Sequence, residues 1–232
     1  MRKYGVLLAL ALSGMAYSAD SALDDVRVRL DDQWLPVKVD KSRDIKTYAK
    51  REDGKPYRSF KIEQTINTNL DTISRVISNF DSYPRWFWET TEARLLKRVS
   101  ANEVYVYMVH RAPLGIPYRD VILHVRLDPV NNHKEYALLH AKADSDYLPL
   151  RPPLVRMAAE EFTVRFTPIA SQKVRLEIEG YIDPNGNVPV WATNYVQRSA
   201  PYAIAVGLQR MTKLAEFQDE SKIPDFSLVE RR

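Results

Sequence analysis

Few residues in this chain have the type and spacing that chemistry requires. The four histidines, His110, His124, His133 and His140, are dispersed, and no cysteine is present to serve as nucleophile or thiolate ligand. The patterns G-x-S-x-G, H-E-x-x-H and the P-loop do not occur, so the common signatures of serine hydrolases, zinc proteases and P-loop enzymes are missing. His124 and His140 fall on the outward faces of their expected strands, a weak basis for a metal site. Adjacent acids such as Glu160-Glu161 and Asp24-Asp25 stand at segment edges and read as solvated charge. No catalytic residue, metal or cofactor is assigned.

One cation stands apart. Over 119–127 the odd positions are Arg119, Val121, Leu123, Val125 and Leu127, and the even ones include Asp120, Ile122, His124 and Arg126. Alternation along a strand sends the odd set inward, so Arg119 faces the apolar side and Asp120 does not. An unpaired buried charge costs several kcal/mol. Arg119 must therefore meet an acid, ordered water or the polar head of a ligand.

The elements that would hold such a residue follow from spacing. Short extended segments are expected at 35–39 and 45–49, and 60–66 alternates as a half-buried strand does. Leu70, Ile73, Ile77 and Phe80 then adopt helical spacing with Asn69 as cap, and Tyr83-Pro84 ends it. Strands are expected over 93–99, 103–110, 119–127, 135–143, 161–166 and 174–182, joined by short polar turns in an antiparallel meander. In 135–143, Ala137, Leu139, Ala141 and Ala143 share one face; in 174–182, Ile178 lies on the apolar one. From 189 to 217 the pattern is helical, with Ala200, Ala203, Ile204, Gly207, Leu208, Met211, Leu214 and Ala215 on one face and a kink or restart at Pro201. A shorter helix is expected over 21–32, and 219–232 reads as a loosely held tail. The order of elements gives an α+β protein in which a curved antiparallel sheet grips a long C-terminal helix.

Composition narrows the class further. Arg2 and Lys3, the apolar run Gly5–Ala16 and the small residues at Ala16 and Ser18 form a cleavable signal peptide, cut after Ser18 or Ala19. The apolar run is well short of the ~20 residues that span a bilayer, so a periplasmic or secreted mature protein is expected. Removing 1–18 leaves 32 basic against 30 acidic side chains, a net charge too small to steer the protein to nucleic acid. The expected organisation is signal peptide 1–18, one domain over 19–218, and the tail.

Several short motifs occur in a telling order. They are Trp34 with Asp44-Ile45-Lys46-Thr47-Tyr48, Tyr83-Pro84-Arg85-Trp86, Tyr118-Arg119-Asp120-Val121, Val155-Arg156, and 183–194 from Asp183-Pro184-Asn185-Gly186 to Trp191-Ala192-Thr193-Asn194. Together, over residues 34–216, the chain resembles the START domains, the family of the steroidogenic acute regulatory protein. The resemblance implies a helix-grip fold, carriage of a lipid or sterol-like hydrophobic ligand in an internal cavity, and no covalent chemistry. It also implies a polar spot at the deep end of the pocket, usually completed by a carboxylate. The residues it marks as lining are Arg119, Val121, Leu123, Ala137, Leu139, Ala141, Ile178, Ile204, Leu208 and Met211.

A buried sixteen-carbon chain would gain roughly 12 kcal/mol at about 0.8 per methylene, so release needs an opening motion of loops and final helix. The loops 112–118 and 147–153 are candidate gates, the second being equally readable as packed connection. The aromatic cluster Tyr83, Trp86, Phe87 and Trp88 reads as core, with transient membrane contact as its alternative. A monomer is expected. Two other readings stay open: a helix-grip enzyme of cyclase or hydratase type, and a module with a filled core.

Overall fold

Period-two and helical spacings translate into ten strands among the described residues. The structure is a computed structural model and describes residues 33–113 and 115–230. The expected signal segment and the helix at 21–32 lie outside the described residues. The strands are β1 (Leu35–Asp40), β2 (Ile45–Lys50), β3 (Ser59–Ile66), β4 (Thr90–Ser100), β5 (Glu103–His110), β6 (Arg119–Asp128), β7 (Ala137–Ala143), β8 (Val155–Arg156), β9 (Ala159–Ala170) and β10 (Lys173–Asp183). They form one open sheet in the order β1-β2-β3-β10-β9-β7-β6-β5-β4, antiparallel throughout, with β8 pairing parallel to β6 outside this path. The protein is α+β with the helix-grip arrangement.

Two helices decide how the sheet is covered. In α1 (Leu70–Ser78) the Asn69 side chain accepts from the Thr72 N–H at 2.8 Å, satisfying a backbone donor that the first turn leaves free. A 3-10 helix over Phe80–Arg85 follows and delivers Trp86 to the core. The long helix α2 (Val190–Met211) lies across β2 and β3. Ile62, Ile66, Leu176, Val164 and Phe166 from the sheet join Ile73, Ala205 and Leu208 from the helices in one apolar cluster. Each such large side chain contributes roughly 1.5–3 kcal/mol by leaving water.

Several expectations need correction. The helix expected to run to 217 stops at Met211, Leu214 becomes extended, and a short α3 (Ala215–Gln218) begins. The break turns Phe217 into the core and offers its carbonyl to the buried Arg75 Nε at 2.6 Å. Pro201 does not restart α2; it is buried within one continuous helix. The tail is not loose. Phe226 and Leu228 are buried, the Leu228 N–H donates to Ser74 Oγ at 2.9 Å, and Val229 bridges to Val130. Those contacts belong to one compact unit that begins at Trp34.

Gly207 sets the spacing of α2 above the 3-10 helix. A Cβ at this position would lie 2.5 Å from the Trp86 carbonyl oxygen, a backbone atom that cannot rotate away. Gly207→Ala should therefore lower stability by about 1–3 kcal/mol, as overpacking does, read as an earlier midpoint in urea denaturation. An unchanged midpoint would show that the helix seats itself without this contact.

Candidate ligand-binding cavity

Sheet and α2 do not close on each other completely. Between them lies a cavity of about 250 Å³, lined almost wholly by apolar groups. Its walls come from β3 (Phe60, Ile62), β5 (Val106, Met108), β6 (Leu123, Val125), β7 (Leu139, Ala141), β9 (Phe162, Val164, Phe166) and β10 (Leu176, Ile178, Ile182). The helix contributes Ala192, Val196, Ala200, Ile204 and Leu208, and the 111–116 connection contributes Ala112, Pro113 and Ile116. For scale, an engineered apolar void of ~150 Å³ stays dry and takes up benzene.

The structure brings most of the residues selected from the sequence to this one space. Arg119, Leu123, Leu139, Ala141, Ile178, Ile204 and Leu208 all line it. Val121, Ala137 and Met211 are buried in the surrounding core but do not face it. Val121 and Ala137 are paired across the sheet with the longer Met108 and Phe166, and it is these partners that reach the cavity. Met211 ends α2, nearly a turn past Leu208. The aromatic cluster is cavity wall: Tyr83 packs on Trp86 at 5.0 Å and on Phe87 at 5.5 Å, and its hydroxyl donates to the Ile77 carbonyl at 2.8 Å.

Arg119 reaches the apolar side, yet its partner is none of those anticipated. Its guanidinium donates to the main-chain carbonyls of Pro117, Pro184 (3.3 Å) and Asn185 (3.2 Å). Three carbonyl dipoles satisfy the cation without a carboxylate, and burial lowers its pKa. Arg119 thus ties the start of β6 to the turn that leads into α2.

The polar spot of the cavity lies elsewhere, on residues that the sequence reading passed over. His110, at the end of β5, is paired across the sheet with Arg119 and points the same way. Its Nδ1 is 3.2 Å from the Trp88 carbonyl and 3.3 Å from Thr90 Oγ1, whose own hydrogen goes to that carbonyl at 3.4 Å, so both oxygens accept from the ring and the proton sits on Nδ1. Its Nε2 is buried without a partner, 3.9 Å from Glu160 Oε2, which is likewise buried and unpartnered. At that distance they would form an ion pair only if His110 were charged. Burial instead pushes His110 down to about 4 and Glu160 up to about 7, so the pair is neutral in mildly acid solution. Glu160 is 2% exposed, which corrects the expectation that the Glu160-Glu161 pair is solvated charge at a segment edge.

The outer face of the sheet carries the charged pair. Asp120 accepts from Arg156 Nε at 3.0 Å and Nη2 at 2.9 Å, and from the Tyr107 hydroxyl at 3.1 Å. Arg156 also donates to the carbonyls of Ser145, Leu148 and Pro149. Residues 144–154 are thereby drawn down on Tyr107, Val109 and Ile122. Of the two candidate gates, the 147–153 segment is packed connection on the outer face and does not line the cavity, whereas Ala112, Pro113 and Ile116 of the 112–118 loop do.

This geometry has counterparts among known proteins. No protein-family model matches the chain. It is 24% identical over 204 residues to an uncharacterized protein of Pseudomonas aeruginosa, covering 88% of this chain and 93% of that one. A STAR-related lipid transfer protein of Xanthomonas axonopodis superimposes with a TM-score of 0.70 at 23% identity, over 79% of this chain and 100% of the other. The chain has the START fold. Human StAR-related lipid transfer protein 5 gives 0.69 at 14% identity, over 88% of this chain and 97% of the other. A START fold maintained at such low identity is set by sheet order and helix placement, the features traced above.

Titration of the buried pair should be visible in the stability of this START fold. Glu160 is raised from 4.5 to about 7, so its contribution is complete below pH 4.5 and is lost as pH rises through about 7. At about 1.4 kcal/mol per unit this amounts to about 3 kcal/mol. His110, depressed from 6.5 to about 4, acts in reverse: its contribution is present above pH 6.5 and lost as pH falls through about 4. Glu160→Gln removes only the first effect. Its Tm should exceed that of the unmodified protein at pH 8.5 and converge with it near pH 5; a constant offset across this range would place Glu160 in water.

Proposed function

We propose that this protein binds one lipid, sterol or similar hydrophobic molecule in its cavity and carries it, without covalent chemistry, in the compartment reached by export. The observation that carries this reading is the unfilled apolar volume itself. Protein interiors pack as densely as organic crystals and leave few voids larger than water. Apolar walls left around about 250 Å³ forgo the contacts that a packed interior makes, and an apolar ligand supplies them. Lipid transfer proteins share the fold, as the names of the Xanthomonas and human proteins state, and this supports the ligand class.

Exchange with a membrane is the natural means of loading such a cavity. In the first turns of α2, Ala192, Thr193, Val196 and Gln197 line the cavity, while Val190, Trp191 and Tyr195 are exposed on the same helix. Exposed aromatic and aliphatic side chains on a cavity-lining segment suit the bilayer interface, where Trp and Tyr are enriched. The 111–116 connection completes this end and is the moving part we assign besides the helix.

The enzyme reading has one observation in its favour, the Glu160–His110 pair within the cavity. A general acid and base are oriented by neighbours and held near the substrate; here Glu160 Oε2 has no partner, and His110 is held at Nδ1 by the Trp88 carbonyl and the Thr90 hydroxyl. Carriage accounts for the whole cavity, chemistry for two atoms of it.

Two measurements test the proposal. Native mass spectrometry of the gently purified protein should show a complex with co-purified lipid, or uptake from a lipid extract, with the ligand mass unchanged over time. Leu139→Trp should fill the cavity and reduce uptake at least tenfold while circular dichroism stays unchanged; undiminished uptake would remove the cavity as the binding site. For exchange, Trp191→Ser should slow lipid transfer between vesicles severalfold with equilibrium binding preserved, and equal rates would count against α2 as the contact.

A further inference from the structure

We propose that His110 and Glu160 form a head-group site for a single ligand hydroxyl, so that the cargo is a neutral alcohol, an apolar body ending in one O–H. The inference rests on the carriage reading above and names the class of molecule carried.

The cavity walls are apolar except at a few atoms, and an otherwise greasy ligand must deal with them. His110 Nε2 and Glu160 Oε2 are buried, lack any hydrogen-bond partner and lie 3.9 Å apart. Both residues line the cavity. The Trp88 carbonyl, together with the Thr90 hydroxyl that donates to it, fixes the His110 proton on Nδ1, so Nε2 presents a lone pair. Burial raises Glu160 and keeps its carboxyl protonated below about pH 7, so it presents a donor. One acceptor and one donor at this separation match a single hydroxyl oxygen, held about 2.8 Å from each. It accepts from the Glu160 O–H and donates to Nε2.

Other head groups fit less well. A carboxylate or phosphate needs fixed cations; of the three arginines that line the cavity, Arg119 is committed to the carbonyls of Pro117, Pro184 and Asn185, Arg111 pairs with Glu89 at 3.5 Å, and Arg58 is exposed to water. An ether or alkane leaves Nε2 without a donor, and burying a polar atom unpaired is costly. The oxygen of a long-chain alcohol and that of a sterol are the same to this site, so the body of the ligand must be told apart by experiment.

At pH 6, displacement of a cavity-bound fluorophore should be compared for 1-dodecanol, 1-methoxydodecane, dodecanoate, dodecylamine and cholesterol. The expected result is at least a tenfold preference for dodecanol over its methyl ether, with the acid and amine weaker than the alcohol. Cholesterol competing more strongly than dodecanol would assign the sterol body, and the reverse the linear one. His110→Phe and Glu160→Leu should each bring dodecanol down to the level of the ether while ether binding stays within twofold. Glu160→Gln, which keeps a donor, should retain most of the preference; should the two apolar variants not fold, the wild-type ratio and this variant decide. Equal binding of alcohol and ether, tighter binding of acid or amine, or a preference surviving both apolar variants would overturn the proposal. Ether binding without preference sinks the head-group site alone, whereas failure of all five probes sinks carriage as well.

Discussion

Side-chain alternation along β6 is the constraint from which both faces of the sheet follow. Arg119 and Asp120 are consecutive, so one must point into the concave side and the other away. Each is then used as a fastener. Arg119 holds the turn that begins α2 through main-chain carbonyls, and Asp120 holds Arg156, which in turn holds residues 144–154 against the outer face. A one-residue slip of this strand would exchange the two roles and release both the lid helix and the outer layer. The interior is left without a charged pair, and this is what allows it to be apolar.

The two buried carboxylates of the site region differ in their partners. Asp120 receives three hydrogen bonds, and its Arg156 partner spends its remaining donors on carbonyls, so desolvation is offset on both sides. Glu160 receives none at Oε2, and burial alone pushes it up to about 7. A saturated pair suits permanent fastening. A neutral, unsaturated one suits a place where another molecule completes the bonding, since an open donor and acceptor cost little extra once a guest supplies the missing partners.

Much of this was legible in the sequence because it rests on local periodicity. The strands around Arg119 and Leu139, the Asn69 cap and the long final helix all follow from spacing within single segments. The inward set of β6 and β7 followed with it, apart from Val121 and Ala137, which longer partners overshadow. What escaped depended on contacts distant in sequence. Glu160 seemed to stand outside a strand starting at 161; the strand starts at Ala159, and parity with Phe162, Val164 and Phe166 turns Glu160 inward. His110 shares parity with Val104, Val106 and Met108, a signal that was present but unused. The fastening of 144–154 requires Arg156 and Asp120 to meet across 36 residues, and the burial of Phe226 and Leu228 requires Ser74 and Ser78 to await them. Spacing within either segment carries no trace of such meetings.

The same division between fastened and unfastened parts bears on the motion that the proposed exchange would demand. The C-terminal half of α2 is tied down: Gly207 meets the Trp86 backbone, Gln209 donates to the carbonyls of Arg43 and Thr65, and the Tyr202 hydroxyl donates to Asp40 at 2.7 Å. From Val190 to Ala200 the helix makes no side-chain hydrogen bond to the sheet among the described residues, and its N-terminal Pro189 supplies no side-chain cap. Pro201, at the border, has no N–H to bond the preceding turn. Lifting the first half therefore breaks apolar contacts and little else, and it uncovers the cavity lining of Ala192, Val196 and Ala200. Arg119 limits that motion, because its hydrogen bonds to Pro184 and Asn185 hold the chain just before the helix. A helix pinned at its far half and tethered at its root would open along its middle, beside the wall that carries Trp88, which packs on Tyr195 at 5.9 Å. On the proposed carriage, a ligand leaving by that route would withdraw its apolar body past α2 and part from the His110–Glu160 end of the cavity on the way, so the bonds proposed to select it would also be those that hold it.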